Sequence, residues 1–347
     1  MSNGFPLLRL PQDEIQRVLK SMEVHQLVLL SFSSTRSKFL VESLNLKSSN
    51  GGKIWVQNAI DVVIYMPNGI QLNWHLYLDE FRERDPDAPP MKMTKSRYVL
   101  FSTSSVHHTF EEVPLDMKDW LNHIKAIFHT RIFYQLTFLN DEGFFDIESI
   151  KNAIEEISEV TIASPGTEKQ NLEKTRAFLL RKSLTFGSDV WQEKKPPGGI
   201  LMQNFDYLQT GFDEEPGNID LEDLLLFNSR ENFVGGTKLT EKDINRYFKL
   251  WIKNRGDFRV ELMMVELKTR MDIDKTAIFR GIKYEEHAII RERWHKSLSS
   301  GPHSEVIHGG YDIKRRDGMR ATIMFAGKWM EMFVWHNHCV GEPGVLD

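Results

Sequence analysis

Leu10-Pro11-Gln12-Asp13-Glu14-Ile15-Gln16-Arg17-Val18-Leu19-Lys20-Ser21-Met22 decides the fold of the N-terminal region. Pro11 suits the start of a helix, because the N–H group that proline lacks would have no partner there. Ile15, Val18, Leu19 and Met22 then follow at i, i+3, i+4 and i+7. This spacing predicts an amphipathic helix with one apolar face.

Two more helices are predicted between Val24 and Leu44. The run from Val24 to Phe32 is apolar on nearly every side, and the run from Thr35 to Leu44 carries Phe39, Leu40, Val41 and Leu44 among polar residues. A unit of fewer than ~40 residues rarely buries so much apolar surface in a core of its own. Part of this surface is therefore expected to bind another protein.

The same residues resemble an F-box, without a gap over residues 7 to 41. The resemblance rests on Leu10-Pro11, Ile15, Val18-Leu19, Met22, Leu27, Leu30-Ser31 and Arg36, while Ser37 stands where many F-boxes carry an aromatic residue. It implies docking onto a Skp-family adaptor, which links the chain to a cullin. The residues that it implies for adaptor binding are Leu8, Leu10, Pro11, Ile15, Val18, Leu19, Met22, Leu27 and Leu30. The alternative is a helical cap on the domain that follows.

Composition predicts an intracellular interaction protein of one to three domains. The net charge of −5 argues against binding to a phosphate backbone, so no nucleic-acid partner is expected. The one cysteine, Cys339, cannot form an intramolecular disulfide and fits a reducing compartment. We find no signal peptide and no membrane-spanning run, so a cytoplasmic or nuclear location is expected.

A β-hairpin is predicted after the first helices. Residues 47–52 resemble a short linker, and the apolar runs Ile60 to Tyr65 and Ile70 to Leu78 flank Met66-Pro67-Asn68-Gly69. The Asn-Gly pair suits a hairpin turn, because both residues adopt positive φ readily.

The middle of the chain contains an internal repeat. Leu136-Thr137-Phe138-Leu139-Asn140 recurs as Val160-Thr161-Ile162-Ala163-Ser164 and as Leu184-Thr185-Phe186-Gly187-Ser188, with helical patterns between the copies. A strand and a helix every 24 residues predict a leucine-rich-repeat-like α/β solenoid. Leu221 to Asn228 resembles its strand motif, and Val260 to Val265 predicts one more strand.

The threonines of the repeat are candidate residues for binding a target protein. In a solenoid, Thr137, Thr161 and Thr185 would lie side by side on the exposed face of a parallel sheet. The alternative is that they are only good strand formers.

A second resemblance covers the C-terminal half. Phe205 to Leu208, Asp220 to Leu225, Leu239 to Tyr247 and Trp251 to Lys253 resemble the type-2 F-box-associated domain, which follows the F-box in a large nematode family. Gly309 to Gly318 is similar to that family's C-terminal region. Within the segment, Thr240 and Asp243 form a capping box ahead of an amphipathic helix that carries Ile244, Tyr247, Phe248 and Trp251.

Catalytic motifs are missing from the sequence. We find no His-Glu-x-x-His and no phosphate-binding loop, and one cysteine excludes a zinc-binding RING domain. Trp335-His336-Asn337-His338-Cys339 offers only three close metal ligands, so no metal site and no cofactor are expected. A hydrolase or metal enzyme is thus a distant hypothesis.

The sequence therefore predicts an F-box at residues 5–46, an F-box-associated, leucine-rich-repeat-like region at 53–267 with its type-2 signature at about 203–267, and a C-terminal helix and β-hairpin extension at 268–347. The expected function is that of a non-catalytic substrate-recognition subunit of an SCF-type ubiquitin ligase. The alternative is a repeat-type interaction scaffold unconnected to ubiquitin. The identity of the target, and whether it must be phosphorylated, are left open.

Overall fold

The computed structural model describes residues 7–49, 51–77, 90, 92, 98–111, 115–139, 145–163, 166–179, 182–211, 217–253, 259–268, 272–298 and 304–342. The chain folds as two compact units, residues 1–158 and residues 159–347.

The first unit begins with three short helices, as predicted. They are α1 at Gln12–Ser21, α2 at Val24–Ser31 and α3 at Thr35–Glu42. Glu23 and Gln26 form a capping box at the start of α2. Ser34 caps α3, because its hydroxyl accepts a hydrogen bond from the Ser37 N–H at 3.1 Å.

A mixed sheet forms the rest of the first unit. Its strands are β1 at Gly52–Val56, β2 at Ile60–Tyr65, β3 at Gln71–Tyr77, β4 at Tyr98–Ser102, β5 at His107–Glu111 and β6 at Phe133–Phe138. They lie in the order β6-β1-β2-β3-β4-β5. The β1–β6 pair is parallel, and the other pairs are antiparallel. The predicted hairpin is the β2–β3 pair, and Gly69 in its turn has a φ of +80°.

Two further helices of the first unit each bury an apolar face. They are α4 at Met117–Ile127 and α5 at Ile147–Ala153. Asp116 caps α4, and the Asp119 N–H donates to its carboxylate at 2.8 Å. Trp120, Leu121 and Ile124 of α4 are each fully buried.

The second unit combines parallel strands with a long antiparallel meander. Its strands are β7 at Ile157–Ile162, which belongs to this unit from Glu159 onward, β8 at Ser183–Phe186, β9 at Tyr207–Thr210, β10 at Glu231–Val234, β11 at Leu262–Glu266, β12 at Tyr284–Lys296, β13 at Ser304–Lys314, β14 at Arg320–Ala326 and β15 at Trp329–Val334. They lie in the order β12-β13-β14-β15-β11-β10-β9-β8-β7. Its helices are α6 at Glu168–Phe178, α7 at Gly198–Leu201, α8 at Leu221–Leu226, α9 at Glu241–Ile252 and α10 at Lys275–Ile278.

The spacing of the repeat is retained in the sheet. Glu159, Ser183, Tyr207 and Glu231 are successive partners on neighbouring parallel strands, and each follows the last by 24 residues. The apolar residues at i and i+2 of each copy are buried, as predicted: Leu136, Phe138, Val160, Ile162, Leu184 and Phe186. Asn140 and Ser164, the turn positions of two copies, lie outside the described residues.

The prediction of a leucine-rich-repeat-like solenoid is wrong, because the sheet is open and mixed. The parallel run ends at β11, which pairs with β15 in the antiparallel sense. Strands β14, β13 and β12 then extend the sheet as antiparallel neighbours. Strands that alternate with short helices form parallel pairs in any βα arrangement, so the 24-residue spacing did not require a solenoid.

The prediction of a strand at Leu221 to Asn228 is also wrong, because Leu221–Leu226 forms helix α8. The Asp220 carboxylate accepts hydrogen bonds from the N–H groups of Glu222 and Asp223 at 2.9 and 3.0 Å. The Asp220 N–H in turn donates to the Asp223 carboxylate at 3.1 Å. This capping box starts helix α8 at Leu221. The next strand, β10, begins ten residues later, at Glu231. The strand predicted at 260–265 and the helix predicted after Thr240 are both confirmed, as β11 and α9.

Candidate partner-binding surfaces

The residues predicted to bind an adaptor divide into a buried group and an accessible group. Ile15, Leu19 and Leu27 are at most 3% exposed. They belong to the core of the first unit, so they hold the helices in place and offer little surface to a partner. The accessible group is half-buried or exposed, and it comprises Leu8, Leu10, Pro11, Val18, Met22 and Leu30.

Phe39 adds a large apolar side chain to this accessible surface. It lies on α3 and is 66% exposed, more than any other large apolar residue described in the three N-terminal helices. Burial on binding would favour association, because a phenyl ring carries much apolar area. Sequence reasoning placed Phe39 in an apolar stripe and did not single it out.

Ser37 stands at the position where many F-boxes carry an aromatic residue, and it makes polar contacts. Its side chain is fully buried. Its hydroxyl lies 2.8 Å from the Ser34 hydroxyl, and the Ser33 hydroxyl donates to it at 3.0 Å. A hydroxyl cluster at the start of α3 thus takes the place of an aromatic contact.

Helix α2 is joined to α4 by a buried histidine. The Ser31 hydroxyl donates to the Val28 carbonyl at 2.6 Å, so it accepts from Nε2–H of His123 at 2.8 Å. The His123 ring also stacks on Phe32, with centroids 3.9 Å apart. Burial, assisted by the charge of Lys38, lowers the pKa of His123 to about 4. His123 is therefore neutral at neutral pH.

The threonines predicted to line an exposed face are buried. Thr137, Thr161 and Thr185 are 6%, 6% and 5% exposed. Thr161 and Thr185 are direct partners on β7 and β8, which confirms that they share a face within the second unit. The prediction that this face is exposed is wrong. These hydroxyls are therefore not accessible to a target protein.

A charged cluster lies where β10 and β11 begin. Arg230 donates from Nε and Nη2 to the two carboxylate oxygens of Glu261, at 2.7 and 3.0 Å. Asp206, just before β9, is 3.4 Å from the same guanidinium. Burial acts to raise the pKa of Glu261, but the hydrogen bonds from Arg230 and His338 outweigh it and lower the pKa. Glu261 is therefore a buried carboxylate held in its charged form.

The cluster also contains possible metal ligands. Ligand atoms of Glu261, His338 and Cys339 lie within 4.8 Å of one another, and among the described residues they are the one such group. The sequence offered His338 and Cys339 but gave no sign of Glu261. Burial, with the charge of Glu261, raises the pKa of Cys339 to about 12. A neutral thiol beside a carboxylate already held by Arg230 is a poor fit to a cation, because the thiol must be deprotonated to bind it.

Two segments of the chain match known protein families. Residues 7–49 match the F-box domain, and residues 197–265 match the F-box associated family. The chain thus carries an F-box at its N-terminus and an F-box associated domain in its C-terminal region. No curated protein and no solved structure matches the chain.

Membrane insertion of the described helices is not supported. Each helix in the part of the chain that the structure describes is too short or too polar to cross a bilayer.

Proposed function

We propose that this chain is the substrate-recognition subunit of an SCF-type ubiquitin ligase. The observation that carries the proposal is the pair of family matches in order along the chain, the F-box at 7–49 and the F-box associated domain at 197–265. This is the order of the nematode family that the sequence resembles. The proposed domains are the F-box at 5–46, the associated region at 53–267 and the C-terminal extension at 268–347.

The F-box would bind a Skp-family adaptor through its accessible apolar residues. This adaptor surface consists of Leu8, Leu10, Pro11, Val18, Met22, Leu30 and Phe39, which are all at least partly exposed. Each large aliphatic side chain that becomes fully buried contributes roughly 1.5–3 kcal/mol. These side chains are already partly buried, so each gains about half of that free energy when a partner covers it. Seven such contributions are similar in size to the roughly 4–15 kcal/mol that association costs. Most of the adaptor surface must therefore take part in binding.

The rest of the chain would bind a target protein. A cullin would join this assembly to the ubiquitin-conjugating enzyme, and the chain would hold the target close to it. Tethering raises the effective concentration of the target at the thioester, so the chain needs no catalytic group of its own. No cofactor is required for this role.

Proximity labelling tests the proposal in cells. The full chain would be compared with the double variant Val18→Glu/Met22→Glu under proteasome inhibition, with Lys20→Glu on the exposed side of α1 as the matched control. We expect the wild type and the control to label a Skp-family adaptor and a cullin, and the double variant to lose both. If all three chains label the same partners and none is a cullin, the chain is an interaction scaffold unconnected to ubiquitin.

A further inference from the structure

One face of the sheet in the second unit is partly exposed and largely apolar. Across strands β9, β10, β11, β15 and β14, successive direct partners are Gln209, Phe233, Met264, Glu331 and Met324. Direct partners point to the same face of a sheet, as do alternate residues of one strand. Trp329 therefore shares the face with Glu331, and its ring centroid lies 4.7 Å from that of Phe233. We refer to these six partly exposed residues as the open sheet face.

The opposite face of the same strands is closed. The residues next to those of the open sheet face in sequence are fully buried: Leu208, Val234, Val265, Ile323 and Met330. A sheet with one buried face usually carries polar side chains on the other. Four of the six residues of the open sheet face are instead aromatic or methionine. The exposure begins at β9, because on β8 the direct partner of Gln209 is the buried Thr185.

The end of the β12–β13 hairpin borders this face. Strand β13 pairs with β14 over residues 311–314 and with β12 from Ser304 onward. Ile307 of β13 packs with Leu262 and Phe333 of the sheet, and Met264 and Met324 pack against that cluster. Glu305 is two residues from Ile307, so it lies on the same side of β13. The hairpin thus brings a second acidic side chain toward the open sheet face.

Glu331 is an acid among apolar neighbours. Its direct partners on the two adjacent strands are Met264 and Met324. Burial, and then the charge of Glu305, raises the pKa of Glu331. In the part of the chain that the structure describes, no cation pairs with Glu305 or Glu331. A carboxylate that is partly buried without a counter-ion is destabilising, and a cation from a partner would remove this cost.

The composition of the face favours a protein partner with positive charge. Partly exposed patches of aromatic residues and methionine are typical of protein–protein interfaces. The face of an aromatic ring attracts a cation, so Trp329 would assist Glu331, which is about 7 Å away along the strand. The two acids would repel a nucleic acid or an anionic membrane.

We propose that the open sheet face binds a segment of the target protein in which apolar side chains flank a lysine or an arginine. The apolar side chains would cover Phe233, Met264 and Met324, and the cation would lie between Glu331 and the ring of Trp329. This inference rests on the proposed function, because it names the chemistry by which the target is recognised.

The test measures binding of the full chain to four fluorescent peptide libraries. Each library has one fixed central residue, and the flanking positions are degenerate among leucine, isoleucine, methionine, phenylalanine and serine. The fixed residue is lysine, arginine, the uncharged norleucine or glutamate. We expect the lysine and arginine libraries to bind at least about tenfold more tightly than the norleucine library, and the glutamate library to bind most weakly.

A charge variant tests the role of Glu331. Glu331→Gln has nearly the same shape, so it should bind the lysine and norleucine libraries equally. The matched control is Glu286→Gln on β12, an exposed acid that lies on the opposite face, in the row of Tyr311 and Ile323. The control should keep the preference for lysine.

An apolar variant tests the sheet face itself. Met264→Gln/Met324→Gln should weaken binding of the lysine library at least about tenfold, because the peptide would lose apolar contacts. The matched control is Met202→Gln, at the end of α7, whose side chain is 53% exposed. Urea unfolding of each variant shows whether it is folded under the conditions of the binding measurement.

Several results would overturn the inference. Equal binding of the lysine and norleucine libraries by the wild type would do so, as would an unchanged preference in Glu331→Gln or no binding of any library. A dimer in sedimentation that Met264→Gln/Met324→Gln abolishes would assign the face to a second copy of the chain. Retention of the Skp-family adaptor, read on the same samples, separates failure of this inference from failure of the proposed function.

Discussion

Arg230 and Glu261 form a two-point ion pair that joins the start of β10 to the start of β11. The guanidinium donates to both carboxylate oxygens, at 2.7 and 3.0 Å, and the Glu261 side chain is only 7% exposed. Both residues lie in the segment that matches the F-box associated family. A buried charge of this kind depends on its partner, because little water reaches it.

Removal of Arg230 should therefore destabilise the second unit. We expect Arg230→Ala to lower the free energy of unfolding by about 2–4 kcal/mol, because Glu261 would remain buried without its counter-ion. Urea unfolding followed by tryptophan fluorescence measures the change. The matched control is Arg246→Ala, whose side chain is 70% exposed in a pair with Asp243. The control should cost less than about 0.5 kcal/mol, and equal effects of the two variants would contradict the account.

His123 should make the first unit sensitive to acid. Its pKa is about 4 in the folded chain and 6.5 when unperturbed, so between these values the unfolded chain binds more protons. Stability is then fully present above pH 6.5 and falls as the pH drops toward 4, by up to about 3 kcal/mol. His123→Phe should flatten this dependence. The exposed His107 provides a control, since His107→Gln should leave the profile as in the wild type. An unchanged profile in His123→Phe would show that another group is responsible.

Cys339 should be inert to thiol reagents in the folded chain. Its side chain is fully buried, and its pKa is raised to about 12, so almost no thiolate is present at neutral pH. We expect reaction with a chromogenic disulfide to be at least about a hundredfold slower than for glutathione. In urea, one thiol per chain should react, because Cys339 is the only cysteine. Rapid labelling of the native chain would contradict this burial.

Two exposed cations on neighbouring strands, Lys314 on β13 and Arg320 on β14, should carry a cost in stability. Because Lys314 and Arg320 are direct partners, Arg320→Gln should raise the free energy of unfolding by about 0.2–1 kcal/mol. Added salt screens such repulsion, so the gain should shrink at high ionic strength. Lys328→Gln, an exposed cation in the turn between β14 and β15, should show no gain. A loss of stability in Arg320→Gln would mean that the charges are not in conflict.

Periodicity and capping residues predicted some of the helices and strands correctly, while β1, β4, β5, β9 and β10 were not predicted. The helices α1 to α3, the hairpin β2–β3 and helix α9 all follow from local patterns of apolar residues and caps. The error at Leu221 arose because a run of leucines fits a strand as well as a short helix. Asp220 and Asp223 are a capping box that could have decided it.

The candidate surfaces were harder to predict, because burial depends on long-range packing. Ile15 and Val18 lie on the same predicted apolar face, yet Ile15 is in the core and Val18 is partly exposed. Glu261 contacts His338, and Lys283 and Arg320 line one cavity, although the members of each pair are far apart in sequence. A single sequence contains no signal for such contacts. For the same reason, Thr137, Thr161 and Thr185 were predicted to be exposed although they are buried.

The central claim is that the partly exposed apolar residues of the N-terminal helices bind a Skp-family adaptor. Calorimetric titration of the purified full chain with such an adaptor tests it most directly. We expect Val18→Glu and Met22→Glu each to weaken binding by at least about tenfold, while Lys20→Glu stays close to the wild type and all variants retain the helical circular dichroism of the wild type. No binding by the wild type, or wild-type affinity in the Val18→Glu/Met22→Glu double variant, would contradict the claim.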